Sequence, residues 1–323
     1  MREGKPPLVV LTGPTAVGKT RLSIELAKAI GGEIISADSM QVYRGMDIGS
    51  AKIRPDEMQG IPHYLVDVLE PEEDFHVVRF ARMAREAMGQ IYSHGHIPIL
   101  VGGTGFYIQA VTRDIDFTEA GQEDSYRREL ERFAAEKGAG ALHLVLRQVD
   151  PLSAERIHEN NVKRVIRALE YYHQNSRPIS AHNEEQRAKD SPYHLAYFVL
   201  TAPRELLYRR IDARVDEMME QGLAEEVMRL KKRGCHRGMT SMQALGYKEI
   251  LDALDGLCTM EEAVRILKRD TRHFAKRQLT WFRREEEVIW LDQEDYGYDE
   301  DRILKAMIRI LNEEHINAQQ SAE

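Results

Sequence analysis

The run Gly13-Pro14-Thr15-Ala16-Val17-Gly18-Lys19-Thr20 has the spacing G-x-x-x-x-G-K-T, and it restricts the fold more than any other segment. Its glycines let successive backbone N–H groups curl around a phosphate, and the start of the next helix adds partial positive charge. Lys19 is placed to reach a terminal phosphate, and the Thr20 hydroxyl to hold Mg²⁺. Such a loop works only between a strand and a helix. Leu8–Thr12 (LVVLT) is a short apolar run with β-branched residues, read as a buried strand. After the loop, Leu22, Leu26, Ala29 and Ile30 recur at helical spacing until Gly31-Gly32 stops the helix. The motif specifies a diphosphate or triphosphate. It carries a nucleotide-binding pattern without singling out ATP.

The alternation continues. Glu33–Ala37 (EIISA) reads as a second strand, Val77–Tyr92 as an amphipathic helix, and Ile97–Val101 (IPILV) as a third strand ending at Gly102-Gly103-Thr104-Gly105. This predicts an α/β fold, a parallel P-loop-type sheet flanked by helices. The pattern changes after about Asp116. Glu123–Lys137 and Ser153–His173 read as helices, separated by a Gly-rich break and the apolar run Leu142–Leu146, and Arg177–Pro192 as polar and irregular. Ala196–Thr201 (AYFVLT) restores a buried strand, with a helix start at Pro203. A long helical stretch Arg204–Arg233, a helix Met260–Arg284 and a short strand at Trp290-Leu291 follow. The expected division is a catalytic core of 1–117 and 192–323 around a helical insertion domain of 118–191.

Composition excludes several classes. No run of about 18 uncharged apolar residues exists to span a membrane, and Met1–Pro7 lacks the apolar stretch of a signal peptide. Cys235 and Cys258 have no metal-ligand spacing and read as reduced thiols in a cytoplasmic protein. The net charge of −8 does not advertise a nucleic-acid binder, but it hides a local bias. Val227–Lys248 holds six Lys/Arg and no acid, Glu261–Arg284 eight against three, and Asp292–Asp301 six acids and no base. A polyanion could bind the basic part; solvated helix faces are the alternative.

In nucleotide hydrolases another apolar strand ends in an Asp that helps hold Mg²⁺. Here IPILV ends in Gly-Gly-Thr-Gly, whereas EIISA ends at Asp38. Both strand ends open toward the phosphate loop in a doubly wound sheet, so Asp38 is placed for chemistry there. Its alternative role is a turn or helix cap.

Seven blocks now stand in order: GPTAVGKT, ISADSMQVY (Ile35–Tyr43), VGGTGFY (Val101–Tyr107), NNVKRVIRALE (Asn160–Glu170), RRIDARVDEM (Arg209–Met218), LGYKE (Leu245–Glu249) and KRQLTWFR (Lys276–Arg283). Together they resemble the bacterial tRNA dimethylallyltransferase family over nearly the whole chain. One departure is Gln243-Ala244-Leu245, where the pattern has Arg-Cys or a similar pair. The resemblance implies transfer of a dimethylallyl group from dimethylallyl diphosphate to N6 of the adenosine 3′ of the anticodon. The tRNAs would be those reading codons that begin with U, and diphosphate would be released. It implies that the P-loop holds the donor diphosphate without ATP, that Arg214 binds it together with Thr15, and that Asp38 is catalytic. By the same resemblance tRNA would lie along Asp38, Ser39, Met40 and Gln41, along Lys163, Arg164 and Arg167, along Gln243, Gly246, Tyr247 and Lys248, and along Lys276, Arg277, Gln278, Trp281 and Arg283. Thr104 and Arg127 would also touch it. A cytoplasmic monomer using Mg²⁺, with no membrane partner, is expected.

The residues suit that chemistry. The exocyclic amine of adenine is a poor nucleophile, so charge must accumulate on a leaving diphosphate, which Lys19, Arg214, the loop amides and Mg²⁺ would stabilise. Asp38 would take the amine proton. Arg210 and Arg214 share a helix face and could instead pair with Asp212, Asp216 or Glu217. Tyr107, Tyr247, Trp281 and Phe282 are the aromatics available to stack on a flipped base. Three rivals remain: a prenyltransferase acting on free nucleotides, a P-loop kinase or NTPase, and a non-catalytic RNA-binding protein.

Overall fold

A computed structural model describes residues 4–115 and 124–316. The expected boundary at 117/118 and the helix start at Glu123 lie outside the described residues. The chain divides into two compact units, 1–112 with 191–323, and 113–190.

The larger unit is built on one parallel sheet of β1 (Pro7–Thr12), β2 (Gly32–Ser36), β3 (His63–Tyr64), β4 (Ile97–Gly102), β5 (His194–Thr201) and β6 (Ile289–Asp292). Their order is β3-β2-β4-β1-β5-β6. Helices α1 (Lys19–Ile30), α2 (Val77–Ser93) and α3 (Gly105–Thr112) belong to its first half. The smaller unit carries α4 (Asp124–Lys137), α5 (Ala139–Val149), α6 (Pro151–Arg156), α7 (Val162–Asn175) and α8 (Ile179–Ala188). The chain returns through α9 (Arg204–Glu220), α10 (Leu223–Lys232), α11 (Tyr247–Leu254), α12 (Met260–Phe282) and α13 (Glu300–Glu313).

Both faces of the sheet are covered, which is why the strands read as continuous apolar runs rather than alternating ones. Leu8 and Val10 join one core with Phe80, Tyr107, Tyr247 and Phe282. Val9 and Leu11 point the other way, into a core with Leu22, Leu26, Ile303 and Met307. β1 pairs with β4 and β5, with Thr12 opposite Gly102 and Val199. The loops after β1 and β4 therefore emerge side by side at the carboxyl end of the sheet. No helix among the described residues is long and apolar enough to cross a membrane.

Gly13 is the tightest point. It has φ 145°, and a Cβ there would lie 2.2 Å from the Leu200 carbonyl oxygen of β5. A side chain would push the loop off the sheet.

Several elements differ from the sequence reading. Gly222, at φ 97°, breaks the stretch expected over Arg204–Arg233 into α9 and α10. Leu142–Leu146 lies inside α5 rather than between helices. The helix expected over Ser153–His173 is two helices, α6 and α7, with Ile157 extended between them. Arg177–Pro192 is not irregular: it holds α8, whose start is anchored to buried Asp150. Asp150 accepts hydrogen bonds from the amides and hydroxyls of both Ser153 and Ser180, at 2.6–3.0 Å. One carboxylate thus ties the starts of α6 and α8 together. β3 has only two residues and left no periodic signal.

Candidate active site

A cavity of about 550 Å³ opens above the carboxyl ends of β1, β2 and β4, lined among others by Lys19, Thr20, Asp38, Arg214, Gln278 and Gln293. All lie in the larger unit. Thr15, Ala16, Val17 and Gly18 complete the wall on the loop side.

Lys19 begins α1 and folds back, donating to the carbonyls of Gly13 (3.0 Å) and Pro14 (2.8 Å). Burial, reinforced by the charge of Arg214, pushes its ammonium down to about 8, and Asp38 pulls the other way. Burial likewise lowers the Arg214 guanidinium against the pull of Asp38 and Glu217. Two half-buried cations thus repel each other beside Asp38, an arrangement that an incoming polyanion would relieve. Among the described residues Arg214 does not form the surface ion pair that its helix spacing allowed.

Asp38 caps its turn and also lines the cavity. Its Oδ1 accepts from the Met40 amide at 2.8 Å, which fixes the turn. Its other oxygen makes no hydrogen bond among the described residues, and the side chain lines the cavity. A carboxylate held at one oxygen and open at the other is oriented to accept a proton.

Two glutamines hold the loop. Gln278, on α12 and 6% exposed, accepts the Thr15 amide proton at 2.9 Å and donates to the Gly103 carbonyl at 2.9 Å. Gln293 donates to the Val17 carbonyl at 2.8 Å and accepts from Arg210 at 2.8 Å. Sequence reasoning placed Gln278 on tRNA and missed Gln293 altogether. A lone Gln after a short strand carries no motif; only the fold brings it under the loop. Arg210, ambiguous in sequence, is a support for Gln293.

The remaining expected contacts sort by exposure. In the turn after β2, Ser39 and Met40 are half-buried, and Gln41 is held by Ser36 and the Ala51 carbonyl. Thr104 is half-buried beside Asp38, its amide on the Ala37 carbonyl at 3.3 Å. Gln243 is exposed, and Lys248 lies 3.3 Å from Glu249. Gly246 and Tyr247 are buried. The Tyr247 hydroxyl donates to buried Glu226, which also accepts the amides of Asp47, Ile48 and Gly49. This knot is structural. Tyr107 and Phe282 are core residues too, so of the four stacking aromatics considered, Trp281 alone is half-exposed. It packs edge-on to Phe106, with ring centres 6.2 Å apart.

The basic segments part company. In the first, Lys231 pairs with Asp255, Arg233 with Glu70 and Glu72, and Arg237 with Asp252. Most of that charge is neutralised within the protein. On α12, Arg265, Lys268, Arg269 and Arg272 are each paired with a carboxylate. Lys276, Arg277, Arg283 and Arg284 are exposed and form no ion pair among the described residues. In the smaller unit Lys163, Arg164 and Arg167 share the exposed side of α7. Arg127 is different: it makes a two-bond ion pair with Glu170, both bonds 2.8 Å, and so braces α4 against α7.

The cavity's oxygen donors include the Thr20 hydroxyl and the Asp38 carboxylate, beside a loop shaped for phosphates. Mg²⁺ takes this kind of site, with few protein ligands and the rest from phosphate and water. The residues fit that ion.

Comparisons with known proteins identify the family. The family model described as IPP transferase matches residues 41–285, and one described as isopentenyl transferase matches residues 6–70. The chain is 62% identical over 310 residues to the tRNA dimethylallyltransferase of Lachnoclostridium phytofermentans, covering 96% of this chain and 99% of that one. It is 54% identical to the Geobacillus thermodenitrificans protein of the same name, over 89% of this chain and 91% of that one. Among solved structures, the full-length tRNA isopentenylpyrophosphate transferase of Bacillus halodurans matches at 45% identity and a TM-score of 0.72, over 96% of this chain and 98% of that one. A eukaryotic dimethylallyltransferase acting on tRNA matches at 28% identity and 0.83, over 98% of this chain and 81% of that one. A phosphate loop with Asp38 and Arg214 beside it, on a chain matched almost end to end, makes this protein a member of the bacterial tRNA isopentenyltransferase family.

Proposed function

We propose that the chain transfers the dimethylallyl group from dimethylallyl diphosphate to N6 of the adenosine 3′-adjacent to the anticodon, in tRNAs reading codons that begin with U. It is a prenyltransferase, and transfer of the dimethylallyl group to tRNA follows from its family. The observation that carries the finer reading is the cavity itself: two mutually repelling, desolvated cations at a phosphate loop, with one half-free carboxylate beside them.

The donor diphosphate occupies the loop. Lys19 leaves the Gly13 and Pro14 carbonyls for the phosphates, Arg214 grips them with its fork of donors, and Thr15 lines the same pocket. As the C–O bond breaks, negative charge grows on the diphosphate and positive charge on the allylic carbon. Preorganised cations and amides stabilise the former without reorganising. Mg²⁺, held through Thr20, would add Lewis-acid stabilisation of the same charge. The adenine is flipped from its stack into the cavity. Its amine becomes acidic only as the C–N bond forms, and Asp38 takes the proton through its free oxygen. The walls of the cavity keep water from the allylic carbon.

The exposed cations at the end of α12 and on α7 bind the tRNA backbone, and the enzyme works as a cytoplasmic monomer. Gln278 acts on the donor side, by holding the Thr15 amide. The test is a reaction with an unmodified transcript followed by nucleoside digestion. N6-(dimethylallyl)adenosine from the position after the anticodon is expected; the dimethylallyl group on another nucleoside or position would overturn the assignment.

A further inference from the structure

We infer that Glu33, His94 and His96 form a binding site for one borderline divalent cation, Zn²⁺ above all, which pins the starts of β2 and β4 to the end of α2. The three residues come from three elements. Glu33 is in β2, His94 caps the end of α2, and His96 precedes β4 after a turn at Gly95 with φ 76°. The parallel pairing of Glu33 with Pro98 brings them together.

The donors already converge. Both imidazoles direct Nδ1 at the same oxygen, Glu33 Oε1, at 3.0 Å for His94 and 2.6 Å for His96. The ligand atoms of all three lie within 4.8 Å of one another. Adjacent ligands of a tetrahedral Zn²⁺, with bonds of ~2.0–2.1 Å, are about 3.3 Å apart, so a small outward movement admits the ion. It would replace the two Nδ1 protons that now crowd onto one oxygen. Glu33 is preset for this: its side chain is 3% exposed, and its other oxygen accepts from the Tyr64 hydroxyl at 2.7 Å. Such an outer partner orients a ligating carboxylate. The imidazoles are 51% and 46% exposed, so the ion has an entry path and solvent can supply its fourth ligand.

Two nitrogens and one oxygen suit Zn²⁺ and its transition-metal neighbours, not Mg²⁺. The site lies at the beginnings of the strands, whereas the cavity lies at their ends. Glu33 and Asp38 are five residues apart along β2, roughly 16 Å at a strand's rise per residue. The ion would therefore stabilise the sheet without taking part in transfer.

The full chain, made without a polyhistidine tag, would be stripped with chelator and equilibrated with Zn²⁺ under excess Mg²⁺. Bound zinc and the thermal midpoint would then be measured. One zinc per chain and a rise in midpoint are expected for the natural sequence, and neither for the His94→Ala/His96→Ala variant. Because both imidazoles are half-exposed, that variant should fold. Glu33→Gln, which keeps a partner for Tyr64, should lose at least tenfold in zinc affinity. Transfer activity measured without zinc should be unchanged in the histidine variant. No uptake by the natural sequence, or equal uptake by it and the histidine variant, would overturn the site.

Discussion

The two cations of the cavity and the four at the end of α12 are the same kinds of side chain in opposite settings. Lys19 and Arg214 are half-buried, their protonation weakened by burial, and set beside Asp38. Lys276, Arg277, Arg283 and Arg284 stand in solvent with no acid partner among the described residues. Desolvated charge acts strongly on a specific anion; solvated charge attracts any polyanion and is screened by salt. In the proposed function the first set serves the chemistry, and the second holds the substrate. The first half of α12 sharpens the point, since its cations are matched by carboxylates and advertise nothing outward.

Asp38→Ala tests the cavity side hardest. Turnover should fall about 10²–10⁴-fold, the usual worth of general-base help, with tRNA affinity nearly unchanged. Equal loss of both would place Asp38 on the binding side. Arg214→Ala comes next. It should raise the donor requirement by roughly tenfold or more, as for a charged hydrogen bond worth ~1.5–3 kcal/mol, and the tRNA requirement less. A defect confined to tRNA would erase the distinction between the two sets.

Changing Lys276, Arg277, Arg283 and Arg284 to Gln should weaken tRNA binding and flatten its dependence on salt. Every phosphate that a cation no longer neutralises takes about 0.7–0.9 off the log–log slope. An unchanged slope would mean that these cations do not meet the backbone. Acidity offers a gentler probe. Diphosphate should raise the depressed value of Lys19, so the complex holds its proton where the free enzyme has begun to lose it. Donor affinity should therefore decline as pH rises above about 8, with proton uptake visible by calorimetry in buffers of differing ionisation enthalpy. Lys19→Met should lose that uptake. The smallest effect belongs to Lys268→Ala, whose exposed pair with Asp216 should contribute no more than ~1 kcal/mol of stability and leave the salt slope alone.

Much of this contrast is legible in the sequence. The loop at Gly13–Thr20, the strands at Leu8, Glu33, Ile97 and Ala196, and the position of Asp38 all follow from local patterns that packing had no reason to override. What stayed hidden depends on partners distant in sequence. Nothing near Gln293 announces that it supports Val17, and nothing near Ser180 announces that Asp150 will hold α8. Basic residues counted along the chain could not reveal that Arg233 meets Glu70 and Glu72 while Lys276 meets none among the described residues. Tyr247 is hidden in the same way: nothing near it in sequence announces that its hydroxyl will meet Glu226.

The most direct test of the central claim sets a tRNA acceptor against a free nucleotide. Labelled dimethylallyl diphosphate would be offered to an unmodified anticodon stem-loop carrying three consecutive adenines, with AMP in parallel. Label in the stem-loop alone is the predicted result. Label in AMP alone would show that the cavity serves free nucleotides, and no label in either would mean that the phosphate loop holds a different substrate.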